Sequence, residues 1–267
     1  MECRLILSRT VILFAGAVVS SRALASPLSF ASKSGDGKGL GCGAYIFLAC
    51  AVGFMGGCVA LITYIQRLRS NKIESVARSL ALPFRRKPTD QDKALIVGCN
   101  LEGTSIQNVS NVVEAARTEE LNLTLFDYEY AYVGGSSAKR YQTISRVQSS
   151  GLKLPSFMMF PKTMYSKIGG GSSDISFPEA IEFNKKYILR AGDEAGIRAI
   201  FTSDLLHFIG QQEHLTIEGF GDLVFVYRAG RRPKPRDFAA SIAEAKHILA
   251  LLLEGQRSRS PTEETAS

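Results

Sequence analysis

Between Lys38 and Arg67 the chain carries no charged side chain, and no other feature restricts its fold as much. Cys42 to Ile65 exceeds the about 20 apolar residues that a helix needs to cross a bilayer. A buried helix of this character would need a large core around it. The segment therefore predicts a transmembrane helix. Tyr45 and Tyr64 bracket it, and at about 1.5 Å per residue their rings lie roughly 28 Å apart, close to the thickness of the hydrocarbon layer. Arg67, Arg69 and Lys72 continue the far boundary, and Arg78, Arg85, Arg86 and Lys87 follow, offset there only by Glu74. On the near side stand Lys33 and Lys38 with Asp36. The positive-inside rule then places the C-terminal side in the cytoplasm. Tyr45, Tyr64, Arg67, Arg69 and Lys72 are the expected membrane-interface residues.

Residues 1–25 hold Arg4 and Arg9, the apolar run Val11 to Val19, and Ala23-Leu24-Ala25 before Ser26. That order is the n-region, h-region and cleavage site of a signal peptide. An uncleaved first hydrophobic helix gives the same orientation, so the protein is single-pass only if the signal is cleaved. Residues 26–41, rich in Ser, Gly and Lys, read as a flexible linker. Within the span, Ala49, Gly53 and Gly57 recur every four residues on one face, the small-residue pattern that lets two helices approach and makes a homodimer a candidate. The protein has five cysteines, of which Cys3, Cys42, Cys50 and Cys58 lie in or before the membrane segments. Cys99 alone remains beyond them, so a disulfide framework in the following domain is excluded.

Residues 66–92 form a basic juxtamembrane segment in which Ile73, Val76, Ala77 and Leu80 share a helix face before Pro83 and Pro88. From residue 93 to 255 the pattern becomes alternating, β-branched and aromatic, with short glycine turns. This predicts an α+β fold: a mainly antiparallel sheet with inserted short helices and a C-terminal amphipathic helix. Strands are expected at Leu95–Cys99, Leu121–Val133, Tyr141–Gln148, Phe157–Phe160, Tyr187–Arg190, Leu215–Glu218 and Leu223–Arg228. Gly134 to Ser137 turns the second into the third. A helix over Asp204–Gln212 would be capped by Ser203. Phe238, Ile242, Ala245, Leu249 and Leu252 mark the last helix, ending at Gly255, and residues 256–267 read as a disordered tail.

Leu125-Phe126-Asp127-Tyr128-Glu129-Tyr130, Gln142-Thr143, Leu154-Pro155-Ser156-Phe157, Phe183-Asn184-Lys185-Lys186-Tyr187 and Leu205 onward occur in an order that resembles a family of uncharacterised bacterial membrane proteins. That domain-of-unknown-function class joins N-terminal hydrophobic helices to one α+β domain. The resemblance covers about Leu121 to Leu253 and implies architecture, with no activity. The signal-like N-terminus departs from it, so topology does not carry over.

No catalytic, cofactor or metal signature is legible. His207 and His214 beside Glu213, and the step Glu244 to His247, lack the further ligands a metal needs. Gly169 to Asp174 lacks the Lys-Ser/Thr ending of a P-loop. Asp127 and Glu129, two apart on one strand, read as solvent-facing carboxylates. Arg228, Arg231, Arg232, Lys234 and Arg236 form a second basic cluster and a candidate anion site. The net charge of +7 is gathered beside the span and in this cluster, which favours headgroups over nucleic acid. The sequence therefore predicts a membrane-anchored domain presented to a protein or anionic-lipid partner. The alternative is an enzyme acting on a membrane-associated substrate, recognisable if Asp127, Glu129, His207 or His214 met in one pocket.

Overall fold

The computed structural model describes residues 42–92, 104–132, 139–164 and 174–259. The signal-like segment, the linker, the strand expected at Leu95–Cys99, the turn at Gly134–Ser137, the glycine loop at 169–173 and the last eight residues of the tail lie outside them, as does the side chain of Tyr45. The chain divides into two compact units, one reaching to Ile62 and the other spanning Thr63–Ser267.

Helix α1 runs over Cys42–Ser79. Before Thr63 it presents Val52, Phe54, Met55, Val59, Leu61 and Ile62 outward, each more than 45% exposed. With a mean hydropathy of 1.6 over its apolar window, it is a helix long and apolar enough to cross a membrane. Its character reverses past Arg67. Ser70, Ile73 and Ala77, at spacings of three and four, turn into the core of the second unit, where Ile73 has no exposed surface. Fully burying such a side chain stabilises by about 1.5–3 kcal/mol, so the amphipathic face of the basic segment serves the domain's interior. The chain then joins the sheet at once, through β1 (Phe84–Arg85).

The other strands are β2 (Thr104–Arg117), β3 (Leu121–Tyr132), β4 (Arg140–Ser149), β5 (Leu154–Pro161), β6 (Asp174–Ile175), β7 (Tyr187–Ala191), β8 (Thr216–Gly221) and β9 (Leu223–Tyr227). Among the described residues they form one nine-stranded sheet in the order β1-β2-β3-β4-β9-β8-β5-β7-β6. Every neighbouring pair is antiparallel. The helices are α2 (Ile181–Lys186), α3 (Glu194–Ile200), α4 (Ser203–Gln211) and α5 (Phe238–Arg259). This is the expected α+β class.

Alternation along β3 feeds two cores. Leu123 and Leu125 pack with Ile73, Ala77 and the helices, with Ile200, Leu206 and Ile248 at the centre of that layer. Phe126, Tyr128 and Tyr130 point the other way, with Ile144, Phe225 and Tyr227. Both sheet faces are thus buried here. That corrects the expectation for Asp127, which lies on the face of Leu123 and Leu125 and is 3% exposed.

Local differences have local causes. Strand β2 escaped sequence reading because its register shifts between Ile106 and Asn108, Ser110 and Val113, and Glu114 and Ala116 destroy the two-residue period. Asn111 occupies the middle shift at φ +56°. The cap of α4 is Thr202, whose side chain accepts from the Leu205 N–H, one residue before the expected Ser203. Helix α5 passes through Gly255 to Arg259. A Cβ at Gly255 would stand 2.1 Å from the Ile200 carbonyl oxygen, so the glycine permits close crossing of α3 and α5 and does not cap a helix.

Candidate functional site: an arginine-lined cavity

The cavity forms where β9 leaves the sheet and the chain turns back into α5. Arg228 accepts, through its carbonyl oxygen, the N–H of Arg231 at 3.0 Å, closing a turn over Ala229 and Gly230. Gly230 sits at φ +68°, which the third position of a type II turn requires. The Gly230 N–H donates to Gln142 Oε1 at 3.2 Å, and the Thr143 N–H donates to the Arg231 carbonyl, also at 3.2 Å. The turn is therefore sewn to β4. Pro233 and the short 3-10 turn Pro235–Asp237 then lead into α5.

Between this loop, the ends of β4 and β9, and the first turns of α5 lies a cavity of about 360 Å³. Most of its lining residues carry polar groups, namely Thr143, Ser145, Tyr227, Arg228, Arg231, Arg232, Asp237, Ser241 and Glu244, with Val226, Pro233 and Ala240. Three members of the expected anion cluster, Arg228, Arg231 and Arg232, line it. Lys234 and Arg236 are exposed on the loop beyond, and Arg236 Nε stands 3.6 Å from Asp237 Oδ1.

The arginines differ in what they already hold. Arg228 grips Glu244 through two bonds, Nη1 to Oε2 at 2.8 Å and Nη2 to Oε1 at 2.7 Å, while its Nε donates to the Glu213 carbonyl at 3.1 Å. The Glu244 hydrogen bonds outweigh burial and raise the Arg228 pKa. Arg228 thus clamps α5 to the turn. Arg232 donates from Nη1 to Gln66 Oε1 at 3.1 Å, and its guanidinium lies 4.7 Å from the centre of the Tyr141 ring. Burial pulls its pKa down, an effect that nearby Asp127 partly offsets. Neither Arg231 nor Arg232 is ion-paired among the described residues.

Behind the cavity lies a buried polar knot. Asp127 accepts from Arg69 Nε at 2.8 Å, Arg69 Nη2 at 2.9 Å, Asn111 Nδ2 at 2.9 Å and Thr143 Oγ1 at 2.6 Å. Arg69 also donates from Nη1 to the Pro233 carbonyl at 2.8 Å. The residue expected at the membrane interface therefore ties α1 to the sheet and to the arginine loop. Arg67 and Lys72 are exposed on α1, as is Tyr64. Ala49 is exposed, and a Cβ at Gly53 or Gly57 would meet nothing within 4 Å.

The other carboxylates and histidines do not converge on the cavity. Glu129 pairs with Lys139 at 2.6 Å, His207 is exposed on α4, and His214 occupies the bend after α4 at φ +57°. Among the described residues no group of three metal-ligating side chains occurs. Sequence reading missed Ser145 and Gln66 and set Asp127 on the solvent side. Asp127 had a signal: a carboxylate in phase with Leu123 and Leu125 must be buried if they are.

Fold and site define an α+β protein with a nine-stranded antiparallel sheet, a helix apolar enough to cross a membrane, and, in the second unit, an arginine-lined cavity beside the central strands β4 and β9. No family model and no curated protein matches the chain. A crystal structure of the mycobacterial trehalose monomycolate transport factor A, TtfA, aligns with 72% of this chain and 97% of that chain, at 9% identity and a TM-score of 0.44. A likeness that low carries neither fold nor function.

Proposed function

We propose that the protein is a membrane-anchored binding module that holds its α+β domain at the cytoplasmic surface and engages anionic lipid headgroups through the loop Arg228–Arg236. One observation supports this above others: Arg232, on the cavity wall, bonds to Gln66, the first residue after the apolar segment ends at Ile65. In this reading the loop meets the headgroups of an anionic leaflet, to which each nearby Arg or Lys adds about 1 kcal/mol of attraction. Protein partners remain the weaker option, because the unpaired charge faces a concave space and the exposed apolar surface belongs mainly to α1. The family resemblance and the orientation of the span are part of the same proposal.

The test uses the full chain in nanodiscs of phosphatidylcholine alone or with added phosphatidylserine. Amide exchange across Tyr227–Ser241 is expected to slow in the anionic discs. Equal exchange in both would reject lipid engagement. Protease added outside spheroplasts is expected to leave the domain intact, and digestion would overturn the orientation.

A further inference from the structure

Resting on the reading above, the geometry points to a more specific ligand: we propose that the cavity binds a phosphomonoester, its oxygens shared between the Arg231 and Arg232 guanidinium groups and the Ser145 hydroxyl. Charge balance selects this class. Three guanidinium groups line the cavity, from Arg228, Arg231 and Arg232, with Arg69 in the knot behind it and Arg236 exposed on the loop beyond. Three carboxylates answer them: Asp127 with Arg69, Glu244 with Arg228, and Asp237 with Arg236. Arg231 and Arg232 are left without an ion pair among the described residues, both on the cavity wall. A phosphomonoester carries about −1.5 to −2 at neutral pH and offers three acceptor oxygens, whereas a phosphodiester brings a single charge.

Position and size agree. Arg232 is held in place before any ligand arrives, by Gln66 on one side and the Tyr141 ring on the other, so little freedom is lost on binding. Its burial withdraws water from the cation and strengthens the gain from a bound anion. Ser145 is 5% exposed and lines the cavity, and its hydroxyl makes no hydrogen bond among the described residues, leaving it available to donate. A volume of about 360 Å³ is at the small end of ligand cavities, suited to a headgroup and too small for a folded peptide. The phosphate could belong to a lipid such as phosphatidic acid or to a free phosphate.

The experiment is calorimetric titration of the full chain in nonionic detergent with dihexanoyl phosphatidic acid, dihexanoyl phosphatidylglycerol and inorganic phosphate. Phosphatidic acid is expected to bind, with Kd raised about tenfold or more by Arg231→Gln or Arg232→Gln and unchanged by Lys162→Gln on the surface elsewhere. Ser145→Ala, too small a change to endanger folding, is expected to weaken binding less than either arginine variant. Binding of inorganic phosphate with the same arginine dependence supports the proposal and makes the free anion sufficient. Binding of phosphatidic acid without phosphate supports it with a lipid source. Equal affinity for phosphatidylglycerol overturns the phosphomonoester class yet leaves headgroup engagement standing. Absence of any heat with exchange protection retained in anionic discs overturns this site alone, and absence of both overturns the two readings together.

Discussion

Replacing Asp127 by alanine should be among the most damaging single changes in the domain, and the knot around it says by how much. The carboxylate accepts four hydrogen bonds, two from Arg69, one from Asn111 and one from Thr143. The side chains of Arg69 and Asp127 are 13% and 3% exposed. Removing one partner of a pair so enclosed strands the other, which costs about 3–5 kcal/mol. For a unit the size of Thr63–Ser267, each kcal/mol moves Tm by about 2–4 °C, so Asp127→Ala should lower Tm by about 6–20 °C. Arg69→Met should cost less, about 2 kcal/mol, because Asp127 keeps Asn111 and Thr143 and the methionine stem still covers Phe238. The double variant Asp127→Ala with Arg69→Met removes both charges together and should cost clearly less than the two single changes added. Thermal melts of the full chain in detergent, followed by circular dichroism, give all three values. A drop below about 3 °C for Asp127→Ala, or a double variant no better than the sum of the singles, would refute the reasoning.

Gly255→Ala should destabilise by about 1–3 kcal/mol, since its Cβ would meet a backbone oxygen of α3, whereas Gly192→Ala, with nothing within 4 Å, should be neutral; melts of the two variants side by side decide it. Asp92 gives a pH prediction. Burial pushes its pKa up, but hydrogen bonds from Arg85 and Thr89 outweigh that and hold it below the ordinary 3.8. A carboxylate depressed in the folded state adds stability above its unfolded pKa and loses it as pH falls from about 4 toward the folded value, so Asp92→Asn should lower Tm near neutral pH and flatten the acid slope. In the span, Gly53→Leu should lower oxidative cross-linking through Cys50 and Cys58, both exposed, if Ala49, Gly53 and Gly57 form the dimer face. Unchanged cross-linking would remove that face from consideration.

Periodicity made the strands of the β3–β4 and β8–β9 pairs legible, because each places apolar residues two apart over several pairs. It failed at β2, where register shifts interrupt the period, and at β6, which is two residues long. The basic cluster was visible as composition, but which arginines were free was not. Arg228 is occupied by Glu244, sixteen residues away, and Arg69 by Asp127, fifty-eight away. Such pairings depend on how α5 and the end of α1 cross the sheet, and no local pattern encodes that. The turn at Gly230 needs a left-handed residue, which glycine supplies.

The bond from Arg69 to the Pro233 carbonyl sets a vernier on the loop. Arg69 stands four residues beyond Ile65, about 6 Å along the helix axis. Each residue inserted or deleted between them would shift that anchor by about 1.5 Å and swing it by about 100°. The Arg69 anchor on the loop that carries Arg231 and Arg232 is thus set by helical pitch, so a single residue inserted between Ile65 and Arg69 would turn it away from Pro233.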